Sequence, residues 1–344
     1  MGWTIDPPRS PAVLAVIEAR GNVDASAVHQ ALREAVERGA PGWIDGLAEH
    51  VDVHQDLGNG RTALHEAARA GHRQLVERLV EIGGDAHQPD ADGQTPVSLA
   101  AEPALALRLD AIGGFGRAAR AIVHADVDGL RSHLRADPSL VRQRVLGETL
   151  THVVVLWPGH RPRAAELIAA LAEAGADLSA AADGPFGHRE TPLHGAVSSN
   201  DLAAATALVD GGAELDAPGA VIGNGPPLAD AVVFRKWACA HLLVLRGCRV
   251  NLPYAAALGR LDLVRRFVSD DGTVAAGACD LPGWPPGSSE DVALELALHL
   301  AVHGGQLGVA RWLRERGAVL DWVGPSGRST KDAAEELAEG WRDL

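Results

Sequence analysis

Alternating histidines and aspartates make the segment HVDVHQD, residues 50–56, the first candidate for chemistry in this sequence. In an extended segment, four possible ligands would lie on one side: His50, Asp52, His54 and Asp56. In a helix, His50 and His54 would still share a face. Imidazole and carboxylate ligands of this kind can hold zinc. A solvated loop explains the same pattern and is the interpretation we favour, so we expect no structural metal at 50–56.

Other motifs come close to catalytic patterns without completing them. HLAVH (299–303) places His299 and His303 four residues apart, as zinc proteases do, but it lacks the glutamate of H-E-x-x-H. GGFG (113–116) lacks the Lys-Ser/Thr pair of a phosphate loop and suggests a bend instead, and no G-x-S-x-G occurs. We therefore expect a protein that is not an enzyme, with no cofactor and no metal. An active site assembled from distant residues stays open.

The cysteines and the N-terminus indicate where the protein resides. Cys239, Cys248 and Cys279 are widely spaced and form no CxxC, which favours a reducing compartment. Prolines stand where a signal peptide would have its apolar stretch, and AVLAVIEAR (12–20) is too short and too charged to span a membrane. We expect a soluble, cytoplasmic protein without membrane contact.

Composition excludes further classes. The 344 residues carry a formal net charge of −14, so the chain would repel phosphate backbones, and we expect no nucleic-acid partner. Aromatic residues make up only 4% of the chain, and its apolar content is Ala, Leu and Val. This composition suits closely packed helices and argues against an all-β sandwich or barrel.

A helical hairpin with a period of 33 residues recurs along the chain. Equivalent residues repeat at that spacing: Thr62 and Thr95, Ala67 and Ala100, and Ala301 and Ala334. GRTALHEAARAGHRQLVERLVEIGGDA (60–86) contains G-x-T-x-L-H-x-A followed by G-H, and GHRETPLHGAV (187–197) repeats the opening. In these residues the sequence resembles the ankyrin-repeat family.

Each repeat position has a physical role. A threonine such as Thr62 or Thr191 caps the first helix, and a proline can follow at the first helical position. Gly71 ends the first helix, and an apolar stripe marks the second. Four histidines share one repeat position, where we expect them to hydrogen-bond the turn that starts the helix: His65, His152, His194 and His299.

The resemblance implies an all-α ankyrin-repeat solenoid of stacked helix-turn-helix units, about ten in number, several of them degenerate. We expect a single elongated domain over 1–344, with a degenerate N-terminal unit at about 10–58. The clearest repeats are 59–91, 187–217 and 294–324, and 325–344 forms a terminal unit. Insertions such as 277–291 often border the binding surface of a solenoid, although the role of this one stays open.

In the family, the residues after the alanine pair of the first helix, and the hairpin tips, face a concave groove. The resemblance therefore implies a non-catalytic interaction scaffold that binds a partner protein through this groove. The candidate partner-binding residues are Arg61, Arg69, Leu156, Trp157, Ser198, Ser199, Val233, Phe234, Tyr254, Leu258 and His303.

Alternatives stay open at this point. A small-molecule-binding protein or an enzyme would have an apolar pocket near Trp157 and Phe234. In the enzyme, His160 or His303 would act as a general acid or base. A scaffold without a specific ligand would need neither. A one-residue slip in register would place Trp157 and Phe234 in the core. The identity of the partner and the oligomeric state do not follow from the sequence.

Overall fold

The computed structural model describes residues 9–18, 24–47, 50–183, 189–220, 223–280, 292–324, 327 and 329–335. Within these residues the chain is helical, and extended pairing is limited to the bridges Val145–Glu148, Val268–Val274 and Val323–Ser329. The helices are α1 (Pro11–Ile17), α2 (Ala25–Arg38), α3 (Pro41–Leu47), α4 (Ala63–Ala70), α5 (Arg73–Glu81), α6 (Pro96–Leu99), α7 (Pro103–Val123), α8 (Val127–Ala136), α9 (Leu150–Val155), α10 (Ala164–Glu173), α11 (Pro192–Ser198), α12 (Leu202–Asp210), α13 (Pro227–Val233), α14 (Trp237–Leu245), α15 (Leu252–Ala257), α16 (Leu261–Phe267), α17 (Ala293–His303), α18 (Leu307–Arg314) and α19 (Thr330–Glu335). A 3-10 helix spans Pro138–Arg142. The predicted all-α class is confirmed.

The α4–α5 hairpin shows why the repeat sequence folds as it does. The backbone N–H of Thr62 donates to Nδ1 of His65 over 3.0 Å, which satisfies one of the amides left unpaired at a helix start. Ala67 and Ala68 are fully buried, and Gly71 ends the helix in the left-handed conformation with φ +76°. The apolar stripe of α5 is buried as predicted: Leu75, Val76, Leu79 and Val80.

The same turn starts α9 and α11. Nδ1 of His152 accepts the N–H of Thr149 over 3.1 Å, and Nδ1 of His194 accepts that of Thr191 over 3.1 Å. The other ring nitrogen of His194 donates to the carbonyl oxygen of Gly225 over 3.1 Å, in the next hairpin. Burial lowers the pKa of His194 to about 4, so the ring is neutral. The predicted structural role of these histidines is confirmed.

Two predictions about helices are wrong. His299 lies inside α17 rather than at its start, because that helix begins at Ala293, and its Nδ1 is 3.1 Å from Oγ1 of Thr330. The GGFG segment is no bend; it lies within the 21-residue helix α7. A Cβ on Gly116 would lie 2.4 Å from the carbonyl oxygen of Gly84, so glycine permits a close helix–backbone approach there.

The chain divides into two compact units. Unit 1 comprises Met1–Val154, Arg161–Asp177 and Asp183–Phe186, and unit 2 comprises Val155–His160, Leu178–Ala182 and Gly187–Leu344. Trp43 and Phe115 are among the largest fully buried side chains of unit 1, and Tyr254 is the largest fully buried side chain of unit 2 within the described ranges. The expected single domain over 1–344 stays a prediction.

Candidate functional site

The residues predicted to face a partner differ in exposure. Trp157 and Phe234 are exposed, with 71% and 41% of their surfaces accessible, and Arg69 is exposed as well. A second group is half-buried: Arg61, Leu156, Ser198, Val233 and His303. The remaining three are buried: Ser199, Tyr254 and Leu258.

Trp157 and Phe234 occupy equivalent places just beyond the ends of α9 and α13. The preceding residues of α13, Ala231 and Val232, are fully buried and fill the core. Phe234 is the C-cap of α13 and lies outside that core. A slip in register that would bury both aromatic side chains is therefore wrong. Their predicted exposure is confirmed.

Ser199 is a predicted partner-binding residue, but it packs against the segment that follows α9 instead. A Cβ on Gly159 would lie 2.6 Å from Cβ of Ser199, so the two segments are in close contact. The carbonyl oxygen of Ser199 accepts a hydrogen bond from Nε2 of His160 over 3.0 Å. These contacts leave 9% of Ser199 exposed, so its side chain is not presented to a partner.

Tyr254 is buried because α15 starts one residue later in the repeat than the sequence alignment indicates. Asn251 is the N-cap, and its Oδ1 accepts the N–H of Tyr254 over 3.0 Å. Tyr254 thus takes the third helical position, which His65 and His194 occupy in other hairpins. This position faces the interior, and Tyr254 is fully buried. Leu258, the C-cap of this short helix, is 5% exposed.

Asp230 is a polar residue of unit 2 that the sequence analysis missed. It lies in α13, is fully buried, and its Oδ1 has no hydrogen-bond partner. The hydroxyl of Ser198 lies 3.5 Å from Oδ2. Burial, with the nearby carboxylate of Glu190, raises the pKa of Asp230 to about 7, and the Ser198 contact opposes this. A lone aspartate in the apolar run PPLADAVVF was the signal for it.

The turn after α13 brings cationic and aromatic groups to the end of α17. Nε2 of His303 donates to the carbonyl oxygen of Val232 over 3.0 Å, and Nδ1 lies 3.5 Å from a guanidinium nitrogen of Arg235. The ring of Trp237 meets the His303 ring edge-on, with centroids 6.2 Å apart. Lys236 lies between Arg235 and Trp237 in the chain. Sequence reasoning selected His303 here but not RKW (235–237), the tripeptide that accompanies it.

His160 and His303 were the candidates for acid–base work in the enzyme alternative, and both are held by the backbone. The N–H of His160 donates to Oδ2 of Asp201 over 2.6 Å, and its Nε2 binds Ser199 as described above. Burial lowers the pKa of His303, although the Val232 carbonyl opposes the shift. In both residues a ring nitrogen is engaged in connecting hairpins.

The predicted arginines of unit 1 are paired with carboxylates. Nε of Arg61 lies 2.9 Å from Oδ2 of Asp90, and Arg69 lies 2.6 Å from Oε2 of Glu66. Arg69 and Glu66 also line a cavity of about 420 Å³, together with Arg33, Val36, Glu37, Leu57, Ala70 and His72. The two arginine charges are therefore locally compensated.

The segment 50–56 connects hairpins of unit 1. Nδ1 of His54 lies 2.8 Å from Oε1 of Gln88, and Nε2 lies 3.1 Å from the carbonyl oxygen of Gly83. Oδ1 of Asp52 accepts the N–H of His54 over 2.9 Å. Within the described ranges, no group of three or more His, Cys, Asp or Glu side chains is arranged to hold a metal ion. In the same ranges, no helix has the length and apolarity to cross a bilayer.

Comparison with known proteins identifies the repeat. A family model of ankyrin repeats matches three copies over residues 32–106. An ankyrin repeat-containing protein of Schizosaccharomyces pombe, P1E11.10, is 41% identical over 66 residues, which cover 16% of this chain and 32% of that protein. Protein phosphatase 1 regulatory subunit 12A of Mus musculus is 32% identical over 82 residues, covering 24% of this chain and 8% of that one. The chain thus spans about a third or less of these relatives.

Solved structures give matches of lower similarity. The human ASB11 ankyrin repeat domain is 18% identical, with 90% of this chain and 94% of that chain covered and a TM-score of 0.29. The ankyrin repeat domain of Bcl-3, an IkappaB family member, is 22% identical, with 70% and 87% covered and a TM-score of 0.33. The family match and the helical hairpins together show that this chain contains ankyrin repeats. Ankyrin repeats generally mediate protein–protein interaction, and the fold is typically non-enzymatic.

Proposed function

We propose that this chain is a non-catalytic scaffold that binds a partner protein through the ends of its first helices. The observation that carries the proposal is the exposure of Trp157 and Phe234, 71% and 41%, at equivalent positions just beyond the ends of α9 and α13. Aromatic residues are rare in this chain, and large exposed aromatic side chains are typical anchors of protein interfaces. Together they offer a partner apolar area that the fold itself does not use.

The other predicted residues with accessible surface extend this area. Leu156 and Val233 precede the two aromatics in the chain, and Ser198 lies on α11, between α9 and α13 in chain order. His303 lies against the end of α13 through its bond to Val232. In unit 1, Arg61 and Arg69 are the proposed partner-binding residues. The three buried residues, Ser199, Tyr254 and Leu258, are not part of this surface.

The alternative, a small molecule held in an apolar pocket, fits the same residues less well. A tryptophan with 71% of its surface exposed is not enclosed, whereas small-molecule sites bury most of their ligand. Cavities lined by described residues occur around Arg69 in unit 1 and around Arg249 in unit 2. A broad contact surface agrees better with these positions.

We propose a cytoplasmic location, as the sequence analysis does. Cys239 and Cys248 are buried thiols without a disulfide, which suits a reducing compartment. Burial raises the pKa of Cys239 to about 11 and that of Cys248 to about 12, so both thiols stay protonated and unreactive.

Site-specific photo-cross-linking tests the proposed surface. A benzophenone amino acid replaces Trp157, Phe234 or, as the control, Leu245, which is 82% exposed at the end of the second helix α14. Irradiation in extracts of the cells that make the protein should attach the same protein to positions 157 and 234, and not to 245. Equal labelling from all three positions, or labelling from 245 alone, contradicts the proposal.

A further inference from the structure

The turn after α13 forms a compact surface in unit 2, here named the basic corner and defined as Phe234, Arg235, Lys236, Trp237 and His303. Phe234 and Arg235 are exposed, and the other three are half-buried. His303 ties the corner together through its hydrogen bond to Val232, its approach to Arg235 and its ring contact with Trp237. Two cations, two aromatic rings and a neutral imidazole therefore meet at one place.

Neither cation of the basic corner has a carboxylate partner within the part of the chain that the structure describes. The nearest polar contact of the Arg235 guanidinium is the neutral imidazole of His303, at 3.5 Å. Two other arginines of unit 2 do have carboxylate partners: Arg260 lies 2.7 Å from Asp262, and Arg246 pairs with Asp210. Although the chain has a net charge of −14, Arg235 and Lys236 are not neutralised by an ion pair within the described ranges and are free to meet a carboxylate of a partner.

The backbone at Arg235 supports a role other than folding. Arg235 follows the first helix with φ +55°, in the left-handed region. Glycine or asparagine occupies the equivalent turn in the other hairpins of unit 2: Asn200, Gly259 and Gly305, with φ of 58°, 70° and 71°. An arginine has no conformational advantage there, because its Cβ makes this conformation unfavourable. Residues held in unfavourable conformations cluster at functional sites.

We propose that the basic corner receives an acidic segment of the partner protein in which carboxylates flank an apolar side chain. The carboxylates pair with Arg235 and Lys236, and the apolar side chain packs on Phe234 and Trp237. Arginine forms two-pronged hydrogen bonds with carboxylates, and the aromatic neighbours exclude water from the pair. This inference rests on the proposed scaffold function and names the chemistry of its partner.

Charge favours an acidic protein segment over a nucleic acid or a second copy of this chain as the occupant of the basic corner. The two cations would attract the phosphates of a nucleic acid, but the net charge of −14 on the whole chain repels them. A second copy of this chain carries acidic residues as well, but it brings the same net charge and repels the first. An acidic segment of a protein that is not itself highly negative meets the cations without that cost.

Selection from a displayed library of random 12-residue peptides tests the inference on the full chain. The enriched peptides should contain Asp or Glu next to Phe, Leu, Ile or Trp. Their affinity should fall by about tenfold or more in the Arg235→Gln/Lys236→Gln variant, because each lost ion pair of about 1.4 kcal/mol corresponds to a factor of ten. Raising the salt concentration should weaken binding by wild type more than binding by the variant.

A matched control changes the same charge elsewhere in unit 2. Arg249 and Arg266 are exposed and form no ion pair with a described carboxylate, so Arg249→Gln/Arg266→Gln should bind the peptides within about twofold of wild type. Circular dichroism and melting temperatures of both variants should match wild type. A selection that enriches no acidic motif, or equal binding by the two variants, overturns the inference.

Two further outcomes concern the other occupants, and two more separate this inference from the proposed function. A fluorescein-labelled single-stranded DNA 20-mer that binds wild type and not Arg235→Gln/Lys236→Gln would assign the corner to nucleic acid and overturn the inference. A dimer in sedimentation that is lost in this variant would assign it to a second copy, with the same consequence. If position 234 cross-links a protein that the variant binds equally well, this inference fails while the proposed function stands. If positions 157 and 234 cross-link none, the scaffold proposal itself fails.

Discussion

The imidazole Nε2 of His303 donates a 3.0 Å hydrogen bond to the carbonyl oxygen of Val232, a residue 71 positions earlier in the chain. The bond links the ends of α17 and α13, although α15 lies between them in sequence. The bond crosses α15, which ends in three alanines and which α17 approaches closely. A Cβ on Gly304 would lie 2.0 Å from the carbonyl oxygen of Ala257.

Replacing His303 therefore tests how the hairpins of unit 2 are tied together. His303→Ala removes the hydrogen bond to Val232 and the ring contact with Trp237, so we expect a loss of about 1–2 kcal/mol in unfolding free energy. His303→Gln keeps an amide donor and should lose less. Urea titrations followed by circular dichroism measure both. An alanine variant as stable as wild type would show that the bond does not stabilise unit 2.

Asp230 predicts an unusual dependence of stability on pH. Its pKa rises from 3.8 in the unfolded chain to about 7 in the folded one, so the folded state binds the proton more strongly. Its stabilising contribution is complete below pH 3.8 and is lost as pH rises through 7. Asparagine cannot ionise, so Asp230→Asn should be more stable than wild type at pH 8.5. We expect a gain of roughly 2–4 kcal/mol, because a shift of one pKa unit corresponds to about 1.4 kcal/mol.

Melting temperatures of wild type and Asp230→Asn between pH 5 and 8.5 measure this effect. The difference between the two curves should be smallest at pH 5, grow up to about pH 7 and stay nearly constant above it. Glu190 and Tyr254 lie near enough to interact electrostatically with Asp230, and Asp230→Asn leaves both in place. Parallel curves over the whole range would mean that Asp230 ionises without cost in the folded protein.

Trp157 and Phe234 should contribute little to stability. Trp157→Ser and Phe234→Ser change exposed side chains, so we expect losses of no more than about 1 kcal/mol. Leu228 lies in α13, which precedes Phe234, and it is fully buried. Leu228→Ala should lower the unfolding free energy by about 2–5 kcal/mol and serves as the core control. Thermal melts compare the three. Serine variants that melt as early as the leucine variant would make the aromatics part of the core.

Replacing Arg235 should affect stability and binding in different ways. Arg235→Gly relieves the left-handed conformation and should leave the melting temperature unchanged or raise it by about 2 °C. The same variant should bind acidic partner peptides more weakly, because it loses one of the two cations. Melting curves and peptide titrations of one protein sample measure both. A variant that is less stable and binds equally well would assign Arg235 a structural role.

The fold could be predicted from sequence because the hairpin depends on local signals. Thr62 with His65, and Thr191 with His194, form the same hydrogen bonds, and Gly71 ends the first helix as its residue type requires. These interactions lie within about ten residues, so a short motif specifies them. Where the motif is complete, as in 60–86, the predicted helices agree with the structure.

Only part of the candidate site could be predicted, because the alignment of repeat positions fails in one of the hairpins. Alignment on Gly259 placed Tyr254 one position away from its true place, since α15 is capped by Asn251 and lacks one residue of a complete unit. Leu258 has the C-cap position that the alignment gave it, but its side chain is buried. Exposure of Trp157 and Phe234 followed from the same alignment in hairpins of full length. The unpaired state of Arg235 depends on which carboxylates lie nearby in space, and the sequence of one turn does not contain that information.

The dissociation constant of the cross-linked partner tests the central claim most directly. Calorimetry with the purified partner should show that Trp157→Ser and Phe234→Ser each weaken binding by about 2 kcal/mol or more, which is roughly 30-fold. Leu245→Ser, an equally exposed change on a second helix, should leave the constant within about twofold. Equal constants for all three variants and wild type, in proteins that remain folded, would contradict binding through the ends of the first helices.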